Sequence, residues 1–341
     1  MIRPALVVTV LVIVTALAGC SFEPEEKIWE ISGPVFGTQY HIDVVLTDDP
    51  DQLETLSSGI SDILDSIDAS MSTWRPDSEL SRFNNADDQS QWFPVSEPFY
   101  EVLAAAQEIS EFSQGAFDIT VGPVVNLWGF GPEARPNQVP EPSLLENRLQ
   151  SIGYEKLELR SDPDSVRALS RQYLDLSAIA KGYAVDAVAA YLSEIGVEAY
   201  LVEIGGEVRV HGRKPNGEAW RLAIESPVDQ KRQISRVVAL ESRAMATSGD
   251  YRNYYESAGK RYSHTINPET GRPIEHNLAS VTVIADTTMR ADALATAFNV
   301  MGYERANALA VRENIAVYFI IRGEQEFEVH YTPAFSSYLT K

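Results

Sequence analysis

The stretch Ala199-Tyr-Leu-Val-Glu-Ile-Gly-Gly-Glu-Val-Arg-Val-His211 decides the fold class. Two short arms, 199–204 and 207–211, flank the pair Gly205-Gly206, and adjacent glycines supply the backbone freedom of a tight turn. This reads as a β-hairpin rather than a dinucleotide fingerprint. Downstream, strands are expected over 220–225, 236–240 and 280–285, and a helix over 289–301. Hairpins are expected from 251–256 with 260–266, about a turn at Ala258-Gly259, and from 316–321 with 326–331. Thr247-Ser-Gly-Asp-Tyr251 reads as a polar turn between strands. Upstream, Val185, Val188, Leu192 and Ile195 form one apolar helical stripe, ended by Gly196. Segments 53–71 and 98–112 repeat apolar spacings of three and four, and 144–153 is a short helix. Residues 29–32 and 39–46 read as strands, 173–176 as a short strand entering a helix, and 129–143 as a loop. Hairpins with irregularly interspersed helices predict an α+β fold, mainly antiparallel sheets.

Composition bounds the function. The chain has 341 residues, 44% of them hydrophobic, enough for a sizeable core. A formal charge of −21 argues against nucleic-acid binding, which depends on basic side chains displacing counterions. One cysteine rules out a disulfide framework or a Cys-rich metal cluster. Five histidines, none paired at helical spacing, argue against a zinc site.

The N-terminus carries Arg3, an apolar run from Leu6 to Leu17, and then Ala18-Gly19-Cys20. This pattern is a secretory signal, and it resembles a bacterial lipobox in which Cys20 becomes the lipid-bearing first residue. The alternatives are a buried core cysteine or an uncleaved membrane anchor. The expected organisation is a signal peptide over 1–19, a lipid-anchored acidic tether over 20–27 and one folded domain over 28–335, facing the periplasm from an envelope membrane. No second hydrophobic segment is long enough to span a bilayer.

Four polar constellations stand out. Asp292 and Thr296 lie one turn apart in a helix that is apolar nearly all round. Asp292 either favours the helix dipole or, with the hydroxyl, holds a hard cation such as Mg²⁺. In Asp175-Leu-Ser-Ala-Ile-Ala-Lys181, Asp175 or Ser177 could cap a helix, while Lys181 beside a helix N-terminus suits a phosphate. His264 opens a shaped loop ending at Pro273, either as a strand residue or as an acid–base group. The run Gly115 to Gly131 offers backbone and aromatics to a planar ring, although packing would equally explain Phe117 and Trp128.

Taken in order, Met71 to Trp74, Gly115 to Gly131, Asp175 to Gly182, Ser248 to Tyr251, His264 to Pro273 and Asp292 to Thr296 closely resemble the ApbE family of FAD:protein FMN transferases. The resemblance implies a cleft between lobes that binds FAD, and Mg²⁺-dependent transfer of FMN to a threonine of an acceptor protein, with AMP leaving. By position, Phe36, Trp74, Ala116, Phe117, Asp118, Asp175, Lys181 and Ile266 would line the FAD site. The Ala178 carbonyl, Asp292 and Thr296 would hold the metal, His264 would transfer a proton, and Asp250 would help to position the flavin. The implied acceptor is a subunit of a membrane redox complex. Two other functions use the same groups: an FAD pyrophosphatase with water in place of threonine, and a flavin-binding lipoprotein without chemistry. Trp74, Phe36 and Asn267 stand where the family commonly has tyrosine, methionine and aspartate.

Overall fold

A computed structural model describes residues 26–47, 50–133, 139–228, 233–249, 254–257 and 259–340. Cys20, the signal segment, most of the tether, the Ala258 turn and Asp250 lie outside them.

Eight strands form one antiparallel sheet whose spatial order follows the chain. They are Lys27–Val35, Thr38–Leu46, Tyr200–Ile204, Glu207–His211, Arg243–Gly249, Leu278–Ala285, Ala316–Arg322 and Phe327–Tyr331. The expected hairpin stands as the third and fourth strands, with Ile204 opposite Glu207. The helices are α1 (Pro50–Met71), α2 (Glu79–Asn84), α3 (Glu97–Phe112), α4 (Gly122–Leu127), α5 (Pro142–Leu149), α6 (Ala180–Glu194), α7 (Thr288–Met301) and α8 (Tyr303–Arg312). On one face of the sheet, Val185, Val188 and Leu192 of α6 and Leu294 and Phe298 of α7 join Val202, Ile204 and Val281 in the main core. Each fully buried side chain of this size contributes about 1.5–3 kcal/mol. The ribbon Trp220–Glu225 with Ile234–Leu240 covers the other face, where Trp220, Leu222 and Val238 meet Val210, Met245 and Tyr318. A third apolar cluster, including Val124, Trp128, Leu145, Tyr255 and Ile266, supports the loops at one end. Among the described residues no helix is long and apolar enough to cross a membrane.

Several elements differ from expectation. The polar turn expected from Thr247 lies partly within a strand, Arg243–Gly249, in the middle of the sheet. Its Ala244, Met245 and Ala246 are all buried, and a strand covered on both faces shows no alternation. Residues 173–176 are extended but belong to no strand. The Asn84 side chain takes a neighbouring strand's place, donating to the Leu174 carbonyl at 2.9 Å and accepting from Leu174 N–H at 2.7 Å. The second expected hairpin is Tyr254–Ser257 with Lys260–Ser263, after which Ile266–Asn267 pairs separately with Arg272–Pro273. Helix α8 and a small sheet of Phe93–Pro94, Leu157–Arg160 and Ser165–Ala168 were not anticipated.

Candidate active site

Two hairpin turns bring the first wall together. Val35 pairs with Thr38 across Phe36 (φ 50°) and Gly37 (φ 75°), and Ile204 pairs with Glu207 across Gly205 (φ 62°) and Gly206 (φ 107°). Because Tyr40 lies opposite Ile204, both turns sit at the same end of the sheet. The positive φ of Gly205 calls for glycine, and a Cβ there would also crowd Thr38 Cγ2 at 3.0 Å and Lys181 Cδ at 3.4 Å. Lys181, in the first turn of α6, ion-pairs with Glu207 there at 2.5 Å between Nζ and Oε1.

The crossing of α6 with α7 makes the second wall. A Cβ on Gly182 would lie 2.5 Å from the Thr288 carbonyl oxygen, so only glycine allows the backbones this close. Asp186 of α6 accepts from the N–H groups of Thr288 and Met289 at 2.9 and 2.8 Å, capping α7, and pairs with Arg209. Asp292 is thereby carried against α6 and accepts from Gly182 N–H at 3.1 Å. That N–H belongs to the first turn of α6, where helix donors have no intrahelical partner, and Asp292 satisfies it; the Ala178 carbonyl precedes the N-cap Ile179 and lies outside the helix ladder. Asp292, Thr296 and Ala178 line one cleft. A carboxylate, a hydroxyl and a carbonyl are all hard oxygen donors and fit a small divalent cation that completes its shell elsewhere. Asp292 lies in the second turn of a buried helix, beyond the simple dipole role.

The cleft, of about 650 Å³, is closed by two loops. Ala116, Phe117 and Asp118 come from the turn after α3, and His264 and Ile266 from the loop after Lys260–Ser263. Trp128 is buried and donates its Nε1–H to the Gly271 carbonyl at 2.7 Å, so it packs the His264 loop rather than facing a ligand. Phe130 meets the His264 ring edge-on, with centroids 6.3 Å apart. Asp118 accepts from Thr120 N–H, Thr120 hydroxyl and Tyr154 N–H, and so holds the loop in shape. Asp175 accepts from Ser177 N–H at 2.9 Å and from its hydroxyl; neither residue caps α6, whose N-cap is Ile179. Trp74 is 71% exposed and stands, with Phe36, between this cleft and a neighbouring groove. All twelve candidate residues numbered above 20 in the FAD, metal and proton-transfer sets line the same cleft.

Burial raises the Asp292 carboxyl above its usual value against the pull of Lys181, and raises Asp118 against its three hydrogen bonds. Burial pushes Glu207 up to about 7 despite Lys181. Burial would lower the Lys181 amine, but Glu207 and Asp292 more than offset it and hold that amine above the usual range. Glu207 was not singled out in the sequence, where it reads as an ordinary strand residue. The signal available was an acidic residue directly after Gly205-Gly206, on a short strand that is otherwise largely buried.

Comparison with known proteins identifies the family. The ApbE family matches residues 36–319. The FAD:protein FMN transferase of Haemophilus influenzae is 42% identical over 96% of this chain and 96% of its own. The solved flavin transferase ApbE of Vibrio cholerae superposes with a TM-score of 0.85 at 42% identity, covering 92% of this chain and 100% of that one. The apo flavinyl transferase ApbE of Pseudomonas stutzeri gives 0.84 at 41% identity, covering 92% and 97%. With the family description spanning most of its length, the chain belongs to the ApbE family.

Proposed function

We propose that this chain is an FAD:protein FMN transferase that moves FMN from FAD to a threonine hydroxyl of an acceptor protein, releasing AMP, with Mg²⁺ as cofactor. The observation that carries the reading is the meeting of Asp292, Thr296, Ala178, Lys181 and His264 in one cleft. Trp74 and Phe36 offer aromatic faces at the mouth, suited to a planar ring system. Held by Asp292, Thr296 and the Ala178 carbonyl, Mg²⁺ would supply Lewis-acid neutralisation of the diphosphate. The loop after Lys260–Ser263 presents His264 to accept the threonine proton. The threonine oxygen then bonds to the FMN phosphorus, the bond from that phosphorus to the bridging oxygen breaks, and AMP leaves with the electron pair.

Incubating the protein with FAD and a candidate acceptor, with Mg²⁺ or chelator, tests this. Flavin fluorescence staying with the acceptor on a denaturing gel, only with Mg²⁺, is expected. Free FMN and AMP released equally without acceptor would replace transfer by hydrolysis. A lipid anchor at Cys20, on the periplasmic face of an envelope membrane, belongs to the same proposal.

A further inference from the structure

The charges lining the cleft are lopsided for a site that binds a diphosphate. Among its described lining residues, Lys181 is the only lysine or arginine, while Asp118, Asp175, Glu207 and Asp292 are carboxylates. Asp118 and Asp175 are tied to their own turns. The Lys181 ammonium is in turn committed to Glu207 at 2.5 Å. The Glu207 side chain is 5% exposed, and its Oε2 is buried without a hydrogen-bond partner, so Lys181 is the counter-charge this carboxylate depends on. Asp292 and Glu203 add further negative charge around the same ammonium. With one ammonium set against both Glu207 and Asp292, the charge here is net negative and opposes a diphosphate.

We propose that Glu207 is a positioning residue that makes FAD binding conditional on the divalent cation, by withholding the Lys181 ammonium from the diphosphate until positive charge is added at Asp292. This deepens the transferase reading and rests on it. A merely structural glutamate would have the opposite signature, since its removal would loosen Lys181 and weaken FAD binding. Here removal of the charge strengthens it.

The test is an FAD titration at pH 8, by flavin fluorescence, with Mg²⁺ and with chelator. The wild type is expected to bind at least tenfold more weakly in chelator. Glu207→Gln keeps the shape and frees the ammonium, so it should bind FAD at least tenfold more tightly than the wild type in chelator. Its affinity ratio between the two conditions should shrink to threefold or less. Adding Lys181→Met to Glu207→Gln restores a neutral pair and should return the wild-type metal dependence. Should the glutamine variant fail to fold, Glu207→Ser removes the same charge and is read in the same way. A folded Glu207 variant that binds FAD no more tightly than the wild type in chelator overturns the proposal alone. A wild type that binds FAD equally with and without Mg²⁺ overturns the magnesium reading as well.

Discussion

Phe36 occupies a backbone region that a phenylalanine adopts only at a cost of about 1 kcal/mol, yet its turn puts the ring at the mouth of the cleft. Two-residue turns with both φ positive favour Asn-Gly. Phe36→Asn is therefore expected to raise stability by about 0.5–1 kcal/mol in thermal melts and to weaken FAD binding severalfold in titration. A variant unchanged in both would remove the ring from the site. Asp292 shows the same opposition of stability and function. Burial lifts its carboxyl above the usual carboxylate range, so the folded state prefers the proton. Its contribution to stability is complete below the unfolded value and is lost as pH rises through the raised folded one. Glu207 adds a like effect between 4.5 and about 7. Metal-free Asp292→Asn should lack part of this slope and melt about 1–3 °C above the wild type at pH 8, with the gap closing near pH 4. Transfer activity with Mg²⁺ should fall at least about a hundredfold. A metal-free variant that melts lower at pH 8 would show that the charge is not the source of strain. At this scale Asp292 and Lys181 were legible because charges in apolar runs attract notice, Thr296 because it lies one helical turn from Asp292, and Phe36 only through the family resemblance. Glu207 was not, since nothing in a strand pattern announces which ammonium a glutamate meets across the chain.

The crossing of α6 and α7 is the element that sets the site. It depends on Gly182, on the Asp186 cap of α7 and on the pairing of Asp186 with Arg209. Gly182→Ala places a methyl group 2.5 Å from the Thr288 oxygen and 2.7 Å from Met289 Cα, and the clash is with backbone that has no rotamer to yield. The expected cost is about 1–3 kcal/mol in denaturant unfolding, and the helices must part to relieve it. That movement draws Asp292 from Gly182 and from the Ala178 turn, so activity should drop about a hundredfold or more even where the variant is fully folded. Wild-type turnover in a destabilised Gly182→Ala would mean that the close approach serves packing alone. Both helices were readable beforehand, from the stripe on α6 and the uniformly apolar α7. Their crossing was not, because a Gly–backbone contact leaves no periodic trace. Thr247 to Tyr251 read as a polar turn because its glycine and aspartate are depleted in strands, while the partners of the strand Arg243–Gly249 lie far away in sequence. The segment at Leu174 misled in the other direction, since its strand-like backbone is satisfied by the Asn84 side chain.

For the whole molecule the governing quantity is a formal charge of −21, with a sequence pI near 4.6. So acidic a protein is repelled by an anionic bilayer, and charge attraction offers no means of staying on one. Under the proposed lipid anchor, residence on a membrane would come from acyl chains on Cys20, each buried methylene giving about 0.8 kcal/mol. A hydrophobic anchor and an electrostatic one respond oppositely to salt. Added salt screens the repulsion, so the lipidated protein should remain on anionic vesicles, or bind them slightly better, in 1 M NaCl (a Debye length of about 3 Å). Cys20→Ser should float with vesicles at no ionic strength, yet keep kcat/KM with a soluble acceptor within about twofold, because the cleft lies in the folded domain. Against a membrane-embedded acceptor the same variant should be at least about tenfold slower at equal protein concentration, since confinement to one surface raises the effective concentration of the partners. The tether from Cys20 to Lys27 reaches at most about 25 Å, so the sheet's first strand would stay near the bilayer. Lengthening that tether with a flexible Gly/Ser insert should change modification of the embedded acceptor and leave the soluble one untouched. Vesicle flotation of unlipidated Cys20→Ser, or release of the lipidated protein by salt, would transfer the anchoring role from the acyl chains to the protein surface.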